Sequence, residues 1–198
     1  MRALGATPVS VQSLIELTGV APITVRRDLA ELEGKGMLRR VHGGAVAVDL
    51  RGKPMPYAIR EAENAEGKAA IASMVASLVD DDMSVIMDNG STIVAVAHAL
   101  KDRSITALCL SLRSALALGD AGVATVGTPG GTVAAESLRY SGVSCLAALD
   151  SFRADVAIIG ACGLTAEYGL TVTTHEDAQV KRAAISCLLY TSDAADDL

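Results

Sequence analysis

The stretch from Val9 to Val46, VSVQSLIELTGVAPITVRRDLAELEGKGMLRRVHGGAV, constrains the fold more tightly than any other part of the chain, because its hydrophobic period changes along its length. Val11, Leu14, Ile15 and Leu17 recur at helical spacing and predict a helix over Val11–Thr18, with Ser10 as the N-cap and Gly19 permitting a sharp reversal. Pro22 and Ile23 lead into a second helix over Thr24–Gly34, in which Val25, Leu29 and Leu32 share one face. Gly34-Lys35-Gly36 ends that helix. Met37 to Val46 then alternates in the manner of a strand and is broken by Gly43-Gly44, which predicts a short hairpin.

Two helices at a tight turn followed by a basic hairpin form a winged helix-turn-helix. The faces of the second helix away from the core carry Thr24, Arg26 and Arg27. Arginine can fork onto guanine O6 and N7 or clamp a phosphate, so this helix suits the major groove. Arg39, Arg40 and His42 would place cations of the wing over the DNA backbone or in the minor groove. The bland alternative is a small helix pair with surface arginines, which many proteins without nucleic-acid partners contain.

Charge supports the first reading once it is divided. The chain of 198 residues has a formal net charge of −6. Residues 1–53 hold eight Lys and Arg against five Asp and Glu, whereas residues 54–198 hold nine against eighteen. Such asymmetry points to nucleic-acid contact by one segment only. The small positive excess of that segment argues for binding as a homo-oligomer, a dimer or tetramer. No apolar run reaches the roughly 20 residues of a membrane helix, and the N-terminus lacks a basic-then-apolar leader pattern. The cysteines, Cys109, Cys145, Cys162 and Cys187, show no metal-ligand spacing. Cys109 and Cys162 lie in apolar runs and are expected to be buried free thiols, which fits a reducing cytoplasm.

After the hairpin, Val48–Arg60 reads as a linker, since Pro54 and Pro56 oppose regular structure. A helix is expected over Glu61–Val79. From Met83 onward, short apolar runs alternate with helices. The runs are Met83–Asp88, Ile105–Leu110, Val123–Val126 and Asp155–Ile159; the helices Ile93–Leu100 and Leu112–Leu118 separate the first three, and a last helix is expected over Asp177–Ile185. This pattern predicts an α/β domain around a mostly parallel sheet covered on both faces. Ligands of such sheets bind at the carboxyl ends of the strands, here Asp88-Asn89-Gly90-Ser91-Thr92, Ser111, Gly130-Gly131 and Gly160–Gly163. Gly90-Ser91-Thr92 opening a helix suits an anion, because free backbone N–H groups and the positive end of the helix dipole converge there. The same residues would serve equally as ordinary strand-to-helix turns. No Walker lysine and no GxGxxG run is present, so a nucleotide is not indicated. His98 reads as a surface residue, and His175 lies in a polar loop where a pocket rim and open solvent are equally good readings.

The run TVRRDLAELEGKGMLRRVHGGAV resembles the signature of the DeoR family of bacterial transcriptional regulators, T-(I/V)-R-R-D-L…G…L-x-R-x-H-G-G-A. MDNGSTIVAVAHAL, GGTVAAESLRYSG and GACGLTAEYGLTVTTHEDAQVKRAAI resemble blocks of the effector domain of that family, and the resemblance covers Val9 to Ser186. It implies a domain similar to ribose-5-phosphate isomerase, used to sense a phosphorylated sugar. On that resemblance Asn89, Gly90, Ser91 and Thr92 hold the phosphate beside Asp88, Ser111, Gly130 and Gly131 line the pocket, and Glu176 and Lys181 lie nearer the sugar. Two departures stand out. The family often has Thr-Asn-Ser where Cys109-Leu110-Ser111 stands, and usually has Glu immediately before Lys68, where this chain has Gly67.

These readings divide the chain into a winged helix-turn-helix at 1–47 without the usual preceding helix, a linker at 48–60, an effector domain at 61–186 and a tail at 187–198. The missing helix predicts truncation at the N-terminus, and the tail, which resembles the translation of a transposon-end sequencing adapter, predicts it at the C-terminus. The expected function is a DNA-binding regulator, a repressor of sugar-metabolism genes whose partners are double-stranded operator DNA and a phosphorylated sugar, with no membrane and no cofactor. The alternative is a sugar-phosphate isomerase carrying an appended DNA-binding-like module, with Asp88 and Glu176 as its candidate carboxylates.

Overall fold

The computed structural model describes residues 9–41, 43–47 and 56–189. Expectations for His42, for 48–55, and for the two ends at 1–8 and 190–198 lie outside the described residues. The chain divides into two compact units, Met1–Ala62 and Glu63–Leu198.

The first unit begins with β1 (Val9–Ser10), α1 (Val11–Thr18), α2 (Pro22–Gly34), β2 (Leu38–Val41) and β3 (Gly44–Ala47). The Ser10 hydroxyl caps α1 by accepting from the Ser13 N–H, and Gly19 closes the helix in a left-handed conformation. α2 opens two residues earlier than the sequence indicates, at Pro22. Proline fits the first helical position, where its φ is preset and its missing N–H costs nothing. The hairpin of β2 and β3 is joined by β1, giving an antiparallel sheet in the order β1-β3-β2. Gly44 is required there, since a Cβ would lie 2.2 Å from the Val9 carbonyl oxygen. Leu14, Val25, Leu29, Leu38 and Ala45 form the small core.

The region between hairpin and sheet differs from expectation. A short helix, α3 (Tyr57–Ala62), starts directly after Pro56, inside the expected linker. The expected long helix is α4 (Ala65–Ala76) alone, because Asn64 adopts φ 50° and separates it from α3. Gly67 faces the same turn: a Cβ there would lie 2.6 Å from the Asn64 side-chain nitrogen, so the Asn64 side chain would have to shift.

The second unit continues with β4 (Ser84–Met87), α5 (Ser91–Ala99), β5 (Thr106–Cys109), α6 (Leu112–Asp120), β6 (Thr125–Gly127), the hairpin β7 (Thr132–Ala134) and β8 (Arg139–Ser141), α7 (Val143–Ser151), β9 (Val156–Ile158), the hairpin β10 (Gly163–Thr165) and β11 (Gly169–Thr171), and α8 (His175–Ser186). The four-stranded sheet has the order β6-β5-β4-β9, and every pairing in it is parallel. Strand alternation decides which side chains face which layer. Val85, Met87, Ala107, Cys109 and Ile158 pack on one face with Ala72 of α4, Val96 of α5 and Leu118 of α6. Ile86, Leu108 and Leu110 pack on the other with Cys145 and Leu149 of α7 and Val180 and Ala184 of α8. A sheet covered on both sides explains why its strands read as nearly continuous apolar runs.

Burial pushes the Cys109 thiol up to about 12, whereas Cys162 is exposed, contrary to expectation. β9 ends at Ile158, so Cys162 has already left the sheet and lies at the root of the β10–β11 hairpin, its N–H donating to the Thr171 carbonyl. Cys187 is buried as the C-cap residue of α8, with its Sγ 2.9 Å from the Leu149 carbonyl oxygen.

Candidate functional site

Each unit presents one candidate site. In the first, the core face of α2 leaves Ile23, Arg26, Arg27 and Ala30 on the opposite side at helical spacing, all exposed. Ile23 is 78% exposed at the start of the helix, an unusual position for a β-branched apolar side chain. Thr24 is half-buried in the first turn. Arg27 Nε lies 3.7 Å from Asp28 Oδ1, an exposed pairing that leaves the guanidinium in solvent. Arg39 and Arg40 are exposed on β2 and alternate across the hairpin. The backbone N–H of Arg40 donates to Glu33 Oε1 at 2.8 Å, which ties the wing to the end of α2. Arg26 and Arg40, with Gln12 and Gly43, line an open cleft of about 460 Å³ between α1, α2 and the hairpin.

The second site is built at the carboxyl ends of β4 and β9, where the strand order reverses direction. That reversal is the usual ligand crevice of an open parallel sheet. Asp88, 1% exposed, follows β4 and accepts through Oδ2 from the Gly160 N–H at 2.8 Å, across the reversal. A Cβ on Gly160 would stand 2.9 Å from the Asn89 carbonyl oxygen, so only glycine permits this approach. Asp88 Oδ2 also accepts from Lys181 Nζ of α8 in a short, buried charge-assisted hydrogen bond. Asn89 donates to Asp88 Oδ1 at 3.1 Å. Gly90, at φ 137°, then turns the chain so that α5 opens at Ser91, which is buried, with Thr92 half-buried beside it.

Sequence reasoning singled out neither Asp177 nor Arg139, and both belong to this cluster. Asp177 Oδ1 lies 3.4 Å from Lys181 Nζ and 2.8 Å from Arg139 Nη1. These are charge contacts rather than aligned hydrogen bonds, and Asp177 Oδ1 has no hydrogen-bond partner in good geometry. Arg139 Nη2 reaches Thr174 Oγ1 at 3.5 Å, while its Nε is buried without a hydrogen-bond partner among the described residues. Thr174 caps α8 by accepting from the Asp177 N–H. Two carboxylates and two cations thus alternate from β4 through α8 to β8, and their formal charges cancel. The four-residue spacing of Asp177 and Lys181 was a readable signal for the first, since such pairs share a helix face. Nothing local distinguishes Arg139.

The remaining expected residues take varied places. Ser111 is buried but serves as the N-cap of α6, accepting from the Ser114 N–H at 3.1 Å. It also bridges to Arg139, which brings β8 to the end of β5. Gly130 and Gly131 both adopt left-handed conformations before β7, and a Cβ on Gly131 would lie 2.8 Å from Ser144 Cβ. Glu176 is exposed on the first turn of α8, while its neighbour Asp177 points inward. His98 and His175 are exposed.

Residues 6–51 match the DeoR-like helix-turn-helix domain, and residues 63–190 match the DeoR C terminal sensor domain. The chain belongs to the DeoR family. It is therefore a DNA-binding transcriptional regulator, not an isomerase with an appended module. The HTH-type transcriptional regulator GlpR of Haloferax volcanii is 33% identical over 177 residues, covering 89% of this chain and 69% of the relative. The HTH-type transcriptional repressor GlcR of Bacillus subtilis is 32% identical, covering 89% of this chain and 68% of the relative. The glycerol-3-phosphate regulon repressor of Escherichia coli is 32% identical, covering 89% and 70%. Within the DeoR frame the first unit supplies the DNA reader and the second the sensor. Among the described residues no helix is long and apolar enough to cross a membrane.

Proposed function

We propose that this DeoR regulator is a cytoplasmic repressor that binds operator DNA as a dimer or tetramer and responds to a phosphorylated sugar. α2 enters the major groove with Ile23, Thr24, Arg26 and Arg27 toward the bases and phosphates, and Arg39 and Arg40 of the wing engage the backbone. His42, outside the described residues, is assigned to the wing from its place in the sequence alone. An exposed isoleucine beside two arginines suits a thymine methyl next to guanine. In the sensor, Asn89, Gly90, Ser91 and Thr92 at the start of α5 receive the phosphate, and Asp88 and Lys181 sit at its base. Ser111, Gly130 and Gly131 line the wall, and Glu176 stands at the rim. The observation that carries the reading is the buried Asp88–Lys181 pair beside the N-terminus of α5, at the strand reversal of the sheet. A buried ion pair contributes little to stability that apolar packing would not, so its presence at the strand reversal supports a ligand-binding role.

The test is an anisotropy titration against DNA from upstream of its own gene, at two salt concentrations, with and without a panel of phosphorylated sugars. Affinity that falls with salt and is weakened by one sugar phosphate is the expected result. Affinity indifferent to every phosphorylated sugar removes the sensor assignment and leaves the DNA reader standing.

A further inference from the structure

Resting on that placement of the ligand, we infer that the Asp177 carboxylate is a built-in stand-in for the ligand's phosphate group. In the free protein it fills the space between Arg139 and Lys181. A phosphomonoester binds by displacing it, takes over both cations, and releases the first turn of α8.

Four observations carry this. First, both cations are largely buried, with Lys181 8% exposed and the Arg139 side chain 15% exposed. Cations taken out of water need an anion, and in the free protein Asp177 is the anion they share. Second, that anion fits poorly. It meets both cations through the single atom Oδ1, without hydrogen-bond alignment. Arg139 presents a planar fork, yet only Nη1 touches a carboxylate and Nε has no hydrogen-bond partner. A phosphate has three terminal oxygens and can take the Nε and Nη edges together, which one carboxylate oxygen cannot. Third, Lys181 is anchored independently by Asp88, so it stays in place when Asp177 leaves. The charge left by Arg139, Lys181 and Asp88 is then a net positive one, set beside the positive end of the α5 dipole. Fourth, Asp177 occupies the first turn of α8, and Thr174 both caps that turn and accepts from Arg139. The incoming anion therefore engages the same arginine that donates to the capping Thr174 hydroxyl, and the displaced side chain belongs to the residue whose N–H that hydroxyl caps. Occupancy of the pocket becomes a change at the start of α8, the differential contact that any ligand-driven shift requires.

The probe is inorganic phosphate, compared with chloride at equal ionic strength. Asp177→Asn keeps the shape and removes the competing charge. It should bind phosphate about tenfold or more tightly than the unmodified chain, the effect of removing one charge from a buried contact. Phosphate should raise its Tm at concentrations that leave the unmodified chain unmoved. Adding Arg139→Gln should abolish the gain. Asp177→Asn that binds phosphate no better, or a gain that survives Arg139→Gln, overturns the proposal. A measurement without any variant guards against misfolding. In the unmodified chain, saturating phosphate should speed amide hydrogen exchange at Ala178, whose N–H donates to the Thr174 carbonyl, and unchanged or slower exchange counts against displacement. The two readings fail separately. A phosphorylated sugar that releases operator DNA equally well from the unmodified chain and from Asp177→Asn removes the stand-in and keeps the sensor. Phosphate effects as expected, with no sugar phosphate altering operator binding, keep the anion site and remove the sugar.

Discussion

The two units use the same side chains in opposite ways. In the first, Arg26, Arg27, Arg39 and Arg40 stand in solvent around a core of five buried apolar residues. In the second, Arg139 and Lys181 are turned inward and matched by Asp88 and Asp177. On the function proposed above, the contrast follows from the partner each would meet. DNA is a polyanion that stays outside the protein, so exposed cations attract it at little cost to folding. A small anion must be enclosed to be recognised, and a cation buried for that purpose must be neutralised while it waits. The acidic balance of residues 54–198 is thus compatible with buried cations, because Asp88 and Asp177 match Lys181 and Arg139 within the cluster.

Substitutions can break this contrast, and the largest effect is expected where a buried charge loses its mate. Lys181→Met should cost about 3–5 kcal/mol of stability by stranding Asp88, and adding Asp88→Asn should recover much of the loss, as a thermal double-mutant cycle would read. Leu29→Ala should cost about 2–5 kcal/mol, because the first unit has few residues with which to refill the cavity. Its unfolding is followed by denaturant titration, and a loss below 1 kcal/mol would contradict the small-core picture. Arg27→Ala touches no core, so it should leave the melting curve alone and weaken operator binding by about 1–3 kcal/mol if the guanidinium reads a base. An unchanged salt slope with weaker affinity would mark it as a base contact, and a slope reduced by about one as a phosphate contact. Ser10→Ala and Ser111→Ala each remove an N-cap and should cost about 1 kcal/mol.

The smallest effect concerns thiols. Cys162 is exposed and should react with a thiol reagent at once near pH 8, while Cys109 waits for unfolding. Because burial raises the Cys109 value from 9.0 to about 12, the stability it contributes is complete below pH 9. That contribution is lost as the pH climbs toward 12. Prompt labelling of Cys109 itself at pH 8, located by peptide mass spectrometry, would show that its face of the sheet opens more easily than its packing implies.

Local patterns were legible wherever one segment supplied its own partners. Ser10, Gly19, Val25, Leu29 and the Gly43-Gly44 turn specify the helix-turn-helix and wing by capping, period and backbone freedom, all within a few residues. The apolar runs at β4, β5, β6 and β9 likewise announced a parallel sheet. The misreadings fall where a short-range signal was overruled by a neighbour. Asn64 breaks a helix whose apolar pattern runs on, and Cys162 sits just past a strand whose composition extends beyond its pairing. Asp177 went unnoticed beside Glu176 for a different reason: adjacent carboxylates look alike in a sequence, and only the packing of α8 buries one and exposes the other.

By itself, then, the sequence determined the two modules, the recognition helix, the strand-end loop from Asp88 to Thr92 and the family to which they belong. What only the tertiary structure decided is the company those residues keep. Gly160 is 72 positions from Asp88, and Lys181 is 93 positions from it. Arg139 meets Asp177 through a hairpin that bridges to Ser111. No periodicity spans such separations. They are fixed by the order of strands in the sheet and by the faces on which the helices pack, because buried charges can be satisfied only by whatever the fold brings beside them.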